Sequence, residues 1–235
     1  MSDALIRTRM LLGEQAMEKL KNVHVAVFGL GGVGSYAAEC LARSGVGELT
    51  LIDSDTVSES NINRQVLALR STVGREKAVL MAERIRDIRP DCVLHPIVGT
   101  YTAADRERFW GEYDYVADCI DLVSCKIDLI LSSRERNIPI LSALGTGNKL
   151  DASLLQIADI SKTRGCPLAR VMRKELRARG IQHLKVVFSP EEPAESEQCE
   201  APPPGRRSVP ASAPWVPPVA GFLMAGEIVK DLIKE

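Results

Sequence analysis

The stretch VFGLGGVGSYAAECLARSGVGELTLIDSD, residues 27–55, restricts what this chain can fold into more than any other feature. An apolar run at 23–28 leads into glycines, then into a helical pattern over 33–44 closed by Gly45, then into a second apolar run at 49–52. Strand, glycine turn, helix and strand within about thirty residues make a βαβ unit, whose two strands must be parallel and joined by a crossover. The alternation continues. Residues 75–89 read as a helix, with Val79, Ala82, Ile85 and Ile88 at spacings of three and Pro90 as its stop. Runs at 93–98, 115–120 and 139–143 read as strands, and segments 103–110 and 124–136 as helices. The pattern predicts an α/β fold, Rossmann-like and doubly wound, with a mainly parallel sheet.

After Gly147 the pattern changes. LLQIADIS reads as an extended segment, and residues 168–179 as an amphipathic helix burying Leu168, Val171, Met172 and Leu176. Five glutamates without a base stand between 191 and 200, and seven of the thirteen prolines fall between 202 and 218. An irregular, mobile crossover is expected at about 190–214, followed by an apolar closing helix over 219–233. With 235 residues the chain is read as one domain, a nucleotide-binding core at 1–147 and a substrate-facing part at 148–235. Apolar residues make up 45% and the net charge is −1, which excludes a disordered or globally basic chain. Any nucleic-acid partner must therefore meet a local patch. No stretch has the length of a signal or membrane segment, so a cytoplasmic protein without membrane contact is expected. The six cysteines, at 40, 92, 119, 125, 166 and 199, form no CxxC pair and no histidine stands at ligand spacing, which argues against structural zinc. Reduced thiols, mostly core filler, are expected.

Gly29, Gly31 and Gly34 supply a GxGxxG spacing, with Gly32 between them. Their backbone can approach a phosphate, and the helix that follows offers free N–H groups and the positive end of its dipole. Asp53 lies about twenty residues on, where a carboxylate can accept both hydroxyls of an adenine-linked ribose. An NAD site fits this equally well, as does a tight turn that binds nothing. The next twenty-five residues discriminate. Asp55 is followed by Asn61, Asn63, Arg64 and Gln65 in SNINRQ and by Lys77 at the opening of a helix. NAD has no reacting phosphate to clamp, whereas an ATP attacked at its α phosphate needs cations on the β and γ groups, and Arg64 and Lys77 have that chemistry. Asp121, at the end of YVADCID, sits where an open α/β sheet binds its ligand and could hold magnesium. Taken singly, each has an ordinary reading: Lys77 a solvated helix residue, Arg64 a surface ion pair, Asp121 a turn former.

GLGGVGS, LIDSD, SNINRQ, the lysine of GREKAVLMAERI and DCID resemble, in order, the motifs of the superfamily of ubiquitin-activating, molybdopterin-synthase-activating and thiamin-biosynthesis adenylyltransferases. The resemblance covers about the first 145 residues. It implies ATP with Mg2+, lying along the glycine turn and attacked by a carboxylate. It also implies Gly31 and Gly32 beside the phosphates, Asp53 on the ribose, Asn61 and Arg64 near the phosphates, Lys77 on the α and β groups and Asp121 on magnesium. In that superfamily an arginine of a partner subunit reaches the γ phosphate, so a homodimer is implied, with Arg7 and Arg9 as candidates.

The second half, with ADISKTRGCPLA, LKVVFSPEEP and WVPPVAGFLMAGEIVKDL, resembles the tRNA threonylcarbamoyladenosine dehydratase branch. That branch activates the threonyl carboxylate of a modified tRNA adenosine and closes a hydantoin ring with net loss of water. Between 161 and 185 stand eight Lys or Arg against one Glu. Lys162, Arg164, Arg170, Arg173, Lys174, Arg177 and Arg179 are candidates for tRNA phosphates; the ordinary alternative is a helix showing charge to solvent. A monovalent cation and a sulfur-transfer protein are further implied partners. Cys166 stands where the branch leads one to expect an acid, and Cys199 lies in the acidic crossover as a candidate reactive thiol. Two other functions compete: activation of a small sulfur-carrier protein ending in Gly-Gly, and NAD-dependent oxidoreduction.

Overall fold

The apolar runs of the first half become strands in the expected order. In the computed structural model, which describes residues 3–199 and 209–234, these are β1 (His24–Phe28), β2 (Glu48–Asp53), β3 (Val93–Val98), β4 (Tyr115–Asp118) and β5 (Ile140–Ala143). Two more follow, β6 (Gln156–Asp159) and β7 (Lys185–Phe188). The sheet runs β3-β2-β1-β4-β5-β7-β6, parallel throughout except for the β6–β7 pair. Alternation along the strands splits the core in two. Val25, Val27, Leu49 and Leu51 face one side, while Ala26, Phe28, Ile52 and Val116 face the other.

The first side is covered by α3 (Gly34–Ser44), α4 (Lys77–Ile88) and α7 (Val216–Ile233), and the second by α5 (Val123–Glu135) and α6 (Pro167–Arg177). Two amino-terminal helices, α1 (Ile6–Leu12) and α2 (Glu14–Lys21), precede β1. Of these, α1 buries no side chain, whereas α2 buries Ala16, Met17 and Leu20.

Several boundaries differ from the pattern for physical reasons. Segment 103–110, expected to be helical, holds only a short 3-10 turn, Arg106–Phe109, anchored by buried Phe109. It has no second apolar residue one helical turn away to form a stripe. In α6 the buried residues are Ala169, Met172 and Leu176, while Val171 is exposed and Leu168 half-buried. Strand β7 carries no sequence signal strong enough to separate it from its charged surroundings, yet it inserts between β5 and β6. Residues 200–208 of the proline-rich crossover lie outside the described residues. Its described flanks are tied to each other, Gln198 Nε2 donating to Val209 O at 3.1 Å and Val209 N to Gln198 Oε1 at 2.8 Å. Among the described residues no helix is long and apolar enough to cross a membrane.

A fully buried ion pair fixes the carboxyl end of β4. Lys126 Nζ lies 2.8 Å from Asp118 Oδ2, with both side chains shut off from solvent. Lys126 also donates to Ile120 O at 2.9 Å, Ile120 N donates to Asp118 Oδ1 at 3.1 Å, and Ser142 Oγ donates to Asp118 Oδ2. Strand β4, its following loop, α5 and β5 are thereby joined through one carboxylate. Lys126→Met strands a buried carboxylate and should lower the unfolding free energy by about 3–5 kcal/mol in urea denaturation. The Asp118→Asn/Lys126→Met double variant should lose far less than the sum of the two single changes; additive losses would show that the pair is not coupled.

Candidate functional site

Strand order reverses between β1 and β4, and the crevice beyond the carboxyl ends of such strands is where open α/β sheets bind ligands. A cavity of about 530 Å³ occupies it, within the usual range for small-molecule sites. The glycine turn forms its floor. Gly29 has φ +88°, and a Cβ there would lie 2.8 Å from Cys119 O, on the neighbouring strand's exit. A Cβ on Gly34 would lie 1.8 Å from Gly29 O. These two glycines let the turn exist. Gly31 differs: its Cβ would meet only Gln65 Nε2, at 3.9 Å, and it lines the cavity together with Gly29 and Gly32. Gly34 does not line it. The turn leaves the backbone open on the side where a phosphate would lie, which fits a nucleotide.

Asp53, the last residue of β2, reaches back to this turn. Its Oδ2 accepts from Leu30 N at 2.6 Å and its Oδ1 from Asp55 N at 2.8 Å. Burial pushes its carboxyl above the ordinary aspartate value, against the nearby Lys77 charge, which lowers it. The carboxylate expected on a ribose thus also fastens the turn. Lys77 opens α4, is 5% exposed, and holds Asp55 Oδ2 at 2.9 Å, so it is a buried, paired cation rather than a solvated one. Arg64 Nη1 donates to Ser60 O at 2.9 Å and Asn63 Oδ1 at 2.8 Å.

All three of Asp53, Lys77 and Arg64 line the cavity, as do Asp55, Asn61, Gln65 and Asp121. Asn61 Oδ1 accepts from Ser58 N at 3.3 Å, a local cap that holds the loop in shape. Gln65 is buried, its Nε2 is the atom nearest the position of a Cβ on Gly31, and its Oε1 has no hydrogen-bond partner. Asn63 does not line the cavity; its Nδ2 donates to Ser212 O at 2.9 Å and its Oδ1 orients Arg64. Asp121 lies three residues past β4 rather than at the strand's end. Cys119, within DCID, also lines the cavity, as do Thr100, Tyr101 and Thr146, which no sequence motif marks. Burial pushes the Tyr101 phenol up to about 12, and it donates to Asp128 Oδ2 at 2.7 Å.

A second cavity of about 880 Å³ opens between α5 and α6 and shares Asp121, Leu122 and Pro210 with the first. The exposed Val171 belongs to its wall. Of the basic residues expected to meet phosphates, Lys162, Arg164, Arg170, Lys174 and Arg177 are exposed. Arg173 is half-buried and engaged, its Nη1 donating to Thr163 O at 2.7 Å, so it braces α6 instead of facing outward. Arg179 pairs with Glu175 at 2.8 Å on the wall of the second cavity. Cys166 is buried and caps α6, its Sγ accepting from Ala169 N at 3.4 Å; Cys199 is exposed. Arg7 is exposed and Arg9 lies 3.4 Å from Glu14, and neither lines the cavity of its own chain.

The ThiF family profile matches residues 5–235. The chain belongs to the ThiF family. Among its relatives, the tRNA threonylcarbamoyladenosine dehydratase of Bacillus subtilis is 44% identical over 239 residues, covering 97% of this chain and 94% of that protein. The molybdopterin-synthase adenylyltransferase of Escherichia coli, another relative of this ThiF family chain, is 37% identical over 125 residues, covering 53% of this chain and 50% of that protein. The solved structure of E. coli tRNA N6-threonylcarbamoyladenosine dehydratase, TcdA, in complex with ATP superposes with a TM-score of 0.88 at 36% identity, over 99% of this chain and 96% of that one.

The turn separates two kinds of glycine substitution. Gly34→Ala drives a methyl group into the Gly29 carbonyl and should abolish cooperative folding. Gly31→Ala should melt within about 0.5 kcal/mol of the parent but bind ATP several-fold more weakly, because its methyl group enters the cavity floor. Thermal melts and a fluorescent-nucleotide titration check both; equal behaviour of the two variants would contradict the assignment.

Proposed function

We propose that this protein is an ATP-dependent tRNA threonylcarbamoyladenosine dehydratase, acting through a carboxyl adenylate. The observation that carries this reading is the likeness to the B. subtilis dehydratase over 97% of the chain. The likeness to the molybdopterin-synthase adenylyltransferase reaches only 53% of it. The cavity geometry supports the same reading, because the nucleotide crevice and the α5–α6 cavity meet at Asp121, where a bound triphosphate and a second substrate can touch.

The chemistry follows from the groups present. A threonyl carboxylate oxygen attacks the α phosphorus of ATP, and pyrophosphate leaves with the broken P–O bond. The carbamoyl nitrogen then attacks the activated carbonyl carbon, loses its proton, and expels AMP carrying the former carboxylate oxygen. Ring closure is intramolecular, so a substrate held in reactive pose supplies much of the acceleration, and no protein nucleophile is needed. Arg64 and Lys77 neutralise charge that builds on the phosphates. Asp55 holds the Lys77 ammonium at the cavity wall until the nucleotide arrives. Mg2+, held by Asp121, would offset charge on the leaving pyrophosphate.

The exposed Lys162, Arg164, Arg170, Lys174 and Arg177 meet tRNA phosphates beside the α5–α6 opening. The protein works as a homodimer: Met10 and Leu11 are 77% and 84% exposed on the helix that carries Arg7 and Arg9, an apolar face suited to a second copy. In this assembly Arg7 or Arg9 serves the cavity of the partner subunit. We assign no residues to a monovalent cation or to a sulfur-transfer protein.

Incubation with ATP, Mg2+ and threonylcarbamoylated tRNA, followed by gentle digestion and mass spectrometry of the nucleosides, should show the loss of one water. Bound ATP without that loss would reject the assignment, and pyrophosphate exchange dependent on a Gly-Gly carrier and indifferent to tRNA would replace it. Arg64→Ala and Lys77→Ala should each lower turnover by about 10²–10³ while melting as folded proteins, since the Asp55 left behind by the second change is solvent-exposed. Parental rates in both would remove these cations from the reaction.

A further inference from the structure

At the end of the sheet opposite the nucleotide crevice, His24, Glu48 and His95 stand side by side on three adjacent strands. His24 pairs in register with Glu48, and Thr50 with His95, so all four project from one face of β1, β2 and β3. Glu48 Oε1 lies 2.7 Å from His95 Nε2 and 3.4 Å from His24 Nδ1. One donor atom from each of the three residues lies within 4.8 Å of the others. The geometry points to a site for one divalent transition-metal ion of the zinc class, held by His24 Nδ1, a Glu48 carboxylate oxygen and His95 Nε2.

Three features of the arrangement carry this. A tetrahedral ion with bonds near 2.0–2.1 Å needs ligand atoms roughly 3.3 Å apart. The separations of 2.7 and 3.4 Å bracket that value, so small side-chain rotations suffice. Second, the ring of His24 is oriented from behind. Its Nε2 lies 2.8 Å from Thr50 Oγ1, and with the proton on Nε2 donated to that hydroxyl, the Nδ1 lone pair faces Glu48. This is the partner arrangement that fixes tautomer and direction in metal-bound imidazoles. The Tyr113 ring meets His24 edge-on at 4.9 Å and blocks the ring from swinging away.

Third, the charges suit a dication. The Glu48 carboxylate stands between the two imidazoles, and Asp114, whose Oδ2 accepts from His24 N at 2.7 Å, adds a second carboxylate nearby. His95 is exposed, leaving solvent access for a fourth ligand. An ion here would clip the sheet's edge strand, β3, to β2 and β1. Cysteine spacing argues against zinc in this chain, but that rule surveys neighbours in sequence, and these donors are brought together only by strand register.

Cobalt(II) is a suitable probe, because tetrahedral coordination gives it visible d–d absorption. Tag-free, chelator-treated, nucleotide-free protein should take up one equivalent with that absorption, release it to zinc, and melt at a higher temperature when loaded. His95→Ala at an exposed position and the near-isosteric Glu48→Gln should each weaken uptake by more than about tenfold, and Asp121→Ala should leave it intact. Absence of saturable uptake by the parent, or uptake undiminished in both ligand variants, would overturn the proposal and leave an ordinary hydrogen-bonded cluster.

Discussion

A close backbone approach at the glycine turn sets the rest. Gly34 sits so near the Gly29 carbonyl, and Gly29 so near the Cys119 carbonyl, that no side chain fits at either place. Without these contacts β1 could not turn into α3 while lying beside β4, and the crevice between the two strands would fill with side chains. The same contacts bring the exit of β4 against the turn, so Asp121 and the glycines share one cavity. Asp53 completes the constraint from the third strand by accepting from Leu30 N. Shape at this site is thus a backbone property, secured before any substrate-binding side chain is considered.

Electrostatics follow the same economy of paired groups. Two buried lysines have an aspartate partner, Lys77 with Asp55 and Lys126 with Asp118, while a third, Lys149, has its Nζ buried without a hydrogen-bond partner among the described residues. Taking the partner from a buried ion pair is costly. The two pairs differ in one respect that decides their roles. Asp118 is closed off from solvent with Lys126, so that pair is permanent and structural. Asp55 is two-thirds exposed while Lys77 is almost wholly covered, so a triphosphate can take over the lysine and leave Asp55 to water at little electrostatic loss. One pair holds the loop that carries Asp121; the other keeps a cation ready.

What the sequence discloses divides along the range of the interactions involved. The βαβ unit, the order of the first five strands and the helices between them are legible because each depends on local periodicity and on the glycine turn. Most of the expected site residues also come together, since Asp53, Asn61, Arg64 and Lys77 flank strands whose positions that topology dictates. Elements outside the βα alternation escape: α1 precedes it and buries nothing, and β7 returns to the sheet beside β5 only after a helix and an extended segment. Contacts across the sheet escape as well. Asp118, Lys126 and Ser142 stand on three elements, and His24, Glu48 and His95 on three others, and no spacing along the chain relates them. Val171 and Arg173 were misassigned for the complementary reason. A helix's apolar and charged residues announce an amphipathic pattern, but which of them faces a cavity or braces a neighbour depends on what packs beside it.

Val171 and Asp121 together suggest why the second half of the chain is built as it is. An apolar residue left uncovered on α6 costs little when it lines a cavity that a substrate fills, and that cavity meets the nucleotide crevice at Asp121, Leu122 and Pro210. The antiparallel β6–β7 pair extends the sheet past β5, and α6, joining those strands, lies across from α5. The buried residues of α6 belong to the core, while Val171 and Glu175 line the cavity. A ligand lying between α5 and α6 meets an apolar wall of Ile127, Leu131 and Val171 and reaches Asp121 at the junction with the crevice. That arrangement suits a substrate that extends one nucleoside inward to the reacting phosphate.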